Sequence, residues 1–244
     1  MPDAPVLITG AASGIGRATA QALRAAGLPV VTTDLRDGDH PCDLSDPSAV
    51  DVLAAALPER LGGVAHVAGL PGTHPPQRVV AVNLLAPRRL TAALLPRVAP
   101  GGAVVCVASV AQFRSTVGAE RVQELLAATD EEVLAWLAQA GLDGVQAYDF
   151  SKQALVALAR RQAREAMAAG VRVLSVSPGP VETPILGDFR QSMGEDRMDA
   201  AAAVVGRHGR PEEVAAVIAF LLSEQARWVN AVDLLVDGGL LGTR

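Results

Sequence analysis

Aromatic side chains are scarce in this chain, at 3% of 244 residues, with a single tyrosine. That excludes a surface built to stack nucleic-acid bases. Charge is also sparse, at 19% with a net −5 and no long basic run, which argues against a dedicated nucleic-acid partner. The two cysteines, Cys42 and Cys106, lie far apart with no metal-ligand spacing, so neither a disulfide framework nor a metal site is expected. A reduced, cytoplasmic setting follows as the expectation. No uninterrupted apolar stretch approaches the ~20 residues of a membrane span. The start of the chain shows no basic segment or cleavage site of a secretory signal.

Half of the residues are hydrophobic, mostly Ala, Val and Leu. That composition suits buried parallel strands covered by helices with small faces. Apolar, β-branched runs at Val6–Thr9, Leu28–Thr33, Val64–Ala68, Ala103–Ala108, Val171–Ser177 and Val232–Val236 read as strands. Helical spacing separates them over 14–26, 47–60, 78–97, 150–169 and 211–223. This alternation predicts an α/β fold: a single Rossmann-type domain over 1–244, with a doubly wound, mostly parallel sheet and helices on both faces. One segment departs from the rhythm. Between Ser109 and Tyr148, residues 119–140 read as two helices, the second opened by a capping box at Thr129–Glu132 and stopped by Gly141. The stretch 111–147 is therefore expected to be a helical insertion.

Thr9-Gly10-Ala11-Ala12-Ser13-Gly14-Ile15-Gly16 sits where the first strand turns into the first helix. Glycines there let backbone approach a pyrophosphate, and the helix N-terminus supplies free N–H groups and a favourable dipole. The strand before it and the helix after it are what separate this pattern from a plain tight turn. Asp34, followed by Leu35, ends the second strand. An acid at that place can accept the hydroxyls of an adenine ribose and repel a 2′-phosphate, which favours NAD over NADP. Arg36 argues the other way, and a solvated turn acid is the plain alternative for Asp34. Asp43-Leu44 can meet an adenine through a carboxylate and an apolar contact, although a helix N-cap role for Asp43 stays open.

Tyr148 and Lys152 are four apart at the opening of a helical stretch and so share a helix face. A free tyrosine, with a pKa of about 10, is a poor base near neutrality. A nearby ammonium and an oxidised nicotinamide are expected to lower that value. Ser109, at the carboxyl end of a parallel strand, faces the crevice in which such sheets bind ligands and can donate to a substrate oxygen. A strand-end serine bonded to its own turn is the alternative.

These features together resemble the short-chain dehydrogenase/reductase family over nearly the whole chain. The T-G-x-x-x-G-I-G turn, Asn83, Ser109, the Tyr148/Lys152 pair, Pro178-Gly179-Pro180-Val181-Glu182-Thr183 and the final Val236-Asp237-Gly238-Gly239 appear in the family's order. The resemblance implies a nicotinamide cofactor and a water held by Asn83 in a proton relay through Lys152. It also implies cofactor contacts from Pro178, Gly179, Val181 and Thr183. Where the family usually has Asn-Asn-Ala-Gly, this chain reads His66-Val67-Ala68-Gly69; Ala68 and Gly69 keep the small residues that admit a ribose. His66, inside a strand, reads as structural. The family's third strand is reduced to His40-Pro41-Cys42.

A short connection from Gly69 to Asn83 and a long one after Ser109 are similar to a bacterial branch that includes 3α-hydroxysteroid dehydrogenase/carbonyl reductase. The resemblance implies interconversion of a secondary alcohol and a ketone on an apolar alicyclic or steroid-like substrate. It also implies a homodimer or homotetramer. Expected pocket walls are Leu70, Pro71, Val110, Phe113, Pro180, Ile185, Leu186, Phe189 and Met193, under a lid spanning 182–210. Residues 111–147 are expected to form an interface and one pocket wall, or else a plain surface elaboration. A ketoacyl or other polar carbonyl reductase is the alternative; Arg190, Arg197 and Arg207 would then hold an acidic substrate, or Arg160, Arg161 and Arg164 an acidic carrier. A non-catalytic NAD-binding regulator is the reading from a different class.

Overall fold

In the computed structural model, which describes residues 4–243 apart from the side chains of 189, 192, 193 and 195–198, six parallel strands form one sheet. They are β1 (Val6–Thr9), β2 (Val30–Thr33), β3 (Leu61–His66), β4 (Val98–Val107), β5 (Arg172–Pro178) and β6 (Asp233–Val236), in the order β2-β1-β3-β4-β5-β6. The winding reverses between β1 and β3, and that switch point opens a crevice at the carboxyl ends of the strands. Thr9 closes the floor of the crevice: its hydroxyl oxygen accepts from the N–H groups of Val67 and Ala68 at 3.0 and 3.1 Å.

Helices cover both faces. On one lie α1 (Gly14–Ala25) and α10 (Pro211–Leu222), packed on Val6, Ile8, Val105, Leu174 and Val176. On the other, α2 (Pro47–Ala56), α4 (Ala86–Leu94) and α7 (Gly144–Ala166) pack on Leu7, Val64, Val104 and Val173. Asp46 caps α2, accepting from the Ser48 N–H at 2.8 Å, so Asp43 is free of that duty. His40-Pro41-Cys42 is not a strand. Two backbone bonds to the end of β2, from the N–H groups of His40 and Cys42 to the carbonyls of Thr32 and Asp34, are what remains there.

Two expectations about helices need correction. The segment expected over 78–97 begins at Pro76 and is broken. A short α3 (Pro76–Val80) leads into a π-helical turn, Ala81–Leu85, and only then into α4. The 22-residue run Pro76–Arg97 is, by length and composition, apolar enough to cross a membrane, yet 61% of its most apolar window is buried inside the protein. Arg88 and Arg89 interrupt the run and hide it from a reading of unbroken apolar stretches. The second correction is α7, which starts at Gly144 rather than 150. Asp143 and Gln146 form a capping box there, placing Tyr148 in the second turn.

The segment before α7 does contain two helices, α5 (Ala119–Ala127) and α6 (Asp130–Ala140), with the Thr129/Glu132 capping box and a left-handed Gly141. Arg88 of α4 anchors them through Asp130 and the Ala128 carbonyl, and Arg161 of α7 donates to the Leu126 carbonyl. Past β5 lie α8 (Leu186–Met193) and α9 (Glu195–Val205). Thr73 on the opposite rim donates to Asp188 at 3.4 Å.

Candidate active site

The crevice is lined along its length by residues the sequence singles out. Gly10, Ser13, Gly14, Ile15 and Gly16 form one end, Asp34, Leu35, Asp43 and Leu44 a side arm, and Ala68 and Gly69 the floor. Ser109, Tyr148, Lys152, Pro178, Gly179, Val181 and Thr183 form the other end. Packing explains why glycine occupies two of these places. A Cβ on Gly16 would lie 2.0 Å from the Gly10 carbonyl oxygen; one on Gly10, at φ +70°, would lie 2.7 Å from the Ala68 backbone. The turn is thus wedged between its own helix and β3, which leaves its outer side to the crevice. Ser13, the N-cap of α1, makes no side-chain cap bond, and the first turn of α1 carries no acid. Such an end is favourable for a phosphate.

Asp34 is held in place by backbone. Its carboxylate accepts from the N–H of Ala12 at 3.0 Å and of Leu35 at 2.7 Å. Arg36 is exposed and is not among the crevice walls. Asp43 accepts from the amide and hydroxyl of Ser45, bonds that lower its pKa first, and pairs with Arg78 at 3.5 Å. Arg78 lines the crevice beside it, a wall the sequence reading missed. So were Cys42, Val67, Val82, Val107 and Ala108, all small or apolar residues with no chemical signature.

At the other end, Tyr148 and Lys152 are both buried. The Lys152 ammonium donates to the Val107 carbonyl at 2.9 Å and lies 5.7 Å from the centre of the Tyr148 ring. Burial pushes this ammonium down to about 8, partly opposed by the neighbouring Cys106. Burial likewise pushes the Tyr148 phenol up to about 12, opposed first by a hydrogen bond with Ser109 and then by the charge of Arg114. Among the protein's own groups burial therefore outweighs the rest and raises the phenol; the expected lowering calls on Lys152 together with an oxidised nicotinamide. Desolvation disfavours the phenolate by more than the protein's nearby groups restore. Ser109 also caps its own turn, its hydroxyl accepting from the Ala111 N–H at 3.1 Å. The turn-bonded alternative for that serine is therefore present, beside its hydrogen bond with Tyr148.

Asn83 does not line the crevice. It is fully buried in the π-helical turn, where its amide donates to the Leu70 carbonyl at 3.0 Å and the Ser151 hydroxyl at 3.1 Å, and accepts from the Leu70 N–H at 2.8 Å. Its visible work is to fix Gly69–Leu70: a Cβ on Gly69 would lie 3.3 Å from the Asn83 oxygen and 3.4 Å from the Lys152 nitrogen. His66 is buried in β3, its Nε2 2.8 Å from the Thr91 hydroxyl, and burial lowers its pKa to about 4. It is neutral at pH 7 and faces α4, away from the crevice. Thr183 crosses the opening to pack its methyl group on Gly14.

The expected substrate walls are only partly assembled. Leu70, Pro71 and Ile185 line the crevice, whereas Pro180 lines a separate cavity under α9. Phe113 is 61% exposed, and neither it nor Val110 or Leu186 is among the crevice walls. The Phe189 and Met193 side chains lie outside the described residues, as does that of Arg197. No described residue of 111–147 is among the crevice walls, and α5 and α6 are anchored to α4 and α7. Arg190 pairs with Asp199 and Arg207 with Glu213, which occupies the arginines considered for an acidic substrate.

Known proteins share this sequence and architecture. Residues 4–120 match the short chain dehydrogenase family model, and residues 133–241 match a model described as enoyl-(acyl carrier protein) reductase. Coniferyl-alcohol dehydrogenase from Pseudomonas sp. (strain HR199 / DSM 7063) is 39% identical, over 98% of this chain and 96% of that one. The 3α-hydroxysteroid dehydrogenase/carbonyl reductase of Comamonas testosteroni is 34% identical, over 96% and 95%. The crystal structure of 3α-hydroxysteroid dehydrogenase from Pseudomonas sp. B-0831, complexed with NADH, superposes with a TM-score of 0.89 at 35% identity, covering 96% of each chain. With a family model matched over residues 4–120 and relatives at 39% and 34% identity aligned over nearly their full lengths, this chain belongs to the short-chain dehydrogenase/reductase family.

Proposed function

We propose that this oxidoreductase binds NAD(H) along the crevice and interconverts an alcohol and a carbonyl on an apolar, ring-bearing substrate. The carrying observation is continuity. One crevice joins the acid-free N-terminus of α1 and the Asp34 carboxylate to Ser109, Tyr148 and Lys152. The residues fit a dinucleotide: N–H groups for a pyrophosphate, an anchored acid for a ribose, and Ala68 and Gly69 where bulk would obstruct. When bound, the nicotinamide takes or returns a hydride and, oxidised, brings a positive charge to this end.

The chain's own residues handle the proton. For alcohol oxidation, the Tyr148 oxygen takes the proton of the substrate hydroxyl while Ser109 donates to the substrate oxygen and steadies its charge. Lys152 holds its charge near the phenol and favours the phenolate. Asn83 keeps Gly69–Leu70 fixed beside that ammonium, which is where the relay implied by the family resemblance would begin. In the reverse direction the phenol protonates the carbonyl oxygen. Pro178, Gly179, Val181 and Thr183 wall the nicotinamide end. Leu70, Pro71 and Ile185 support a hydrocarbon substrate. The steroid-acting relatives favour a secondary alcohol on an alicyclic skeleton; the coniferyl-alcohol relative favours a second reading, a primary alcohol beside an aromatic ring.

Asp34 supports NAD over NADP, because its carboxylate is pinned at the crevice while Arg36 is not among its walls. Titrating NADH and NADPH by fluorescence, with wild type and Asp34→Ala, tests this. Tight NADH binding and weak NADPH binding are expected, with the preference erased in the variant. Equal binding of both by wild type would overturn the assignment. Turnover of 3α-hydroxysteroids, cyclic alcohols and coniferyl alcohol then separates the two substrate readings.

A further inference from the structure

The five residues after Ser109 are tied down on two sides by polar groups that the proposed chemistry does not use. The Val110–Arg114 turn is a single 3₁₀ segment, capped by Ser109 itself. On one side, Arg114 makes a two-pronged ion pair with Asp149, Nε to Oδ2 at 3.1 Å and a terminal nitrogen to Oδ1 at 2.5 Å. Asp149 is buried and adjoins Tyr148 on α7. On the other side, the Gln112 amide donates to the Ser177 hydroxyl at 2.7 Å and to the Asp233 carboxylate at 2.8 Å. That carboxylate also accepts from Ser175 and Ser177. Between the clamps, Ala111 is buried against Tyr148.

We propose that this turn is a registering device for the reaction: Arg114 with Asp149, and Gln112 with Asp233, are positioning residues that fix Ser109 against Tyr148. The proposal rests on the reading of Ser109 and Tyr148 given above. Two separate clamps are needed because Ser109 leaves β4 between the sheet and α7. Gln112 ties the turn to β5 and β6, and Arg114 ties it to the helix that carries the phenol. A flexible turn would let the Ser109 hydroxyl swing away from a substrate oxygen. A displacement of ~1 Å at such a distance can cost as much as 100-fold in rate. The arginine pair has an electrostatic consequence as well. The charged groups facing Tyr148 are Arg114 from the turn and Asp149 and Lys152 from α7, with Cys106 of β4 beside Lys152. Arg114 lowers the phenol and Asp149 raises it. Those opposite charge effects follow from the pair's place beside the phenol; the positioning claim is carried by Gln112, which bears no charge.

Tyr148 is the only tyrosine, so phenolate absorbance of the NAD-loaded protein titrates one group and needs no alcohol substrate. Far-ultraviolet circular dichroism at each pH restricts the comparison to folded protein. Arg114→Met is expected to move the ionisation up by about half to one pH unit, and Asp149→Asn to move it down by a similar amount. The double variant should return near wild type. Arg114→Lys keeps the charge and should titrate as wild type; with Asp149→Asn it carries the test if Arg114→Met does not fold. Gln112→Leu, which alters no charge, should move the ionisation up as the Ser109 bond loosens and lower kcat about tenfold on whichever alcohol wild type oxidises, with NADH affinity unchanged. No shift in either ion-pair variant, or wild-type kcat and titration in Gln112→Leu, would overturn the proposal. Opposite shifts in a protein that turns over no alcohol would instead leave the clamp standing and refute the proposed reaction.

Discussion

Lys152 should make the protein less stable than it could be, and replacing it should reveal by how much. Its ammonium is buried and held at about 8, against 10.5 for a free lysine. At ~1.36 kcal/mol per pH unit, keeping it charged at pH 7 costs the native state on the order of 3 kcal/mol. Met has similar length and no charge, so Lys152→Met removes that cost. It also forfeits the bond to Val107, a net loss of about 1 kcal/mol. The variant should therefore be more stable than wild type at pH 7, by roughly 2 kcal/mol, while being inactive. The sign with pH follows from proton binding. Between about 8 and 10.5 the unfolded chain binds more protons at this lysine than the folded one, so wild-type stability rises with pH there. Cys106 and Tyr148, both pushed up to about 12, pull the other way above pH 9, but they are present in both proteins and largely cancel. Urea unfolding at pH 7, 8, 9 and 10 measures the gap directly. It should narrow by about 2.5 kcal/mol over that range. A gap that stays constant with pH, or a variant less stable than wild type at pH 7, would refute the assignment of a strained, buried ammonium.

Other expectations concern single positions. Tyr148→Phe should bind NADH within about twofold of wild type in a fluorescence titration yet lose at least ~100-fold in kcat, the usual scale of a general acid or base. Gly16→Ala drives a methyl group against the Gly10 carbonyl, which cannot retreat because Gly10 is wedged on Ala68. A loss of ~1–3 kcal/mol in urea unfolding is expected, together with weakened NADH binding. Asn83→Ala removes the partners of the part-buried N–H and carbonyl of Leu70, so thermal unfolding should fall by several degrees, about 2–4 °C per kcal/mol for a chain of this size.

Local pattern carried much of this protein. Strand runs, the glycine turn and the capping box at Thr129 are written in neighbouring residues, because strand alternation, left-handed turns and helix caps are decided within a few positions. Six parallel strands and a family resemblance could thus be read from the chain alone. The start of α7 is written there too, in the Asp143/Gln146 capping box. Other features depend on what comes together from afar. Whether Tyr148 is a stronger or weaker acid than free tyrosine turns on how deeply it is buried, which no spacing of residues states; burial outweighed the neighbouring charges and pushed it up. The π-helical turn that buries Asn83 brings its side chain to Leu70 and Ser151, 13 residues before it and 68 after. The sequence points to an interface and a pocket wall for residues 111–147, with a surface elaboration as the alternative. Only the anchoring of α5 and α6 by Arg88 and Arg161 decided that they pack beside the sheet, away from the crevice. Sequence fixes what each segment prefers over a few residues; desolvation and long-range hydrogen bonds, set by residues dozens of positions apart, are decided when the segments meet.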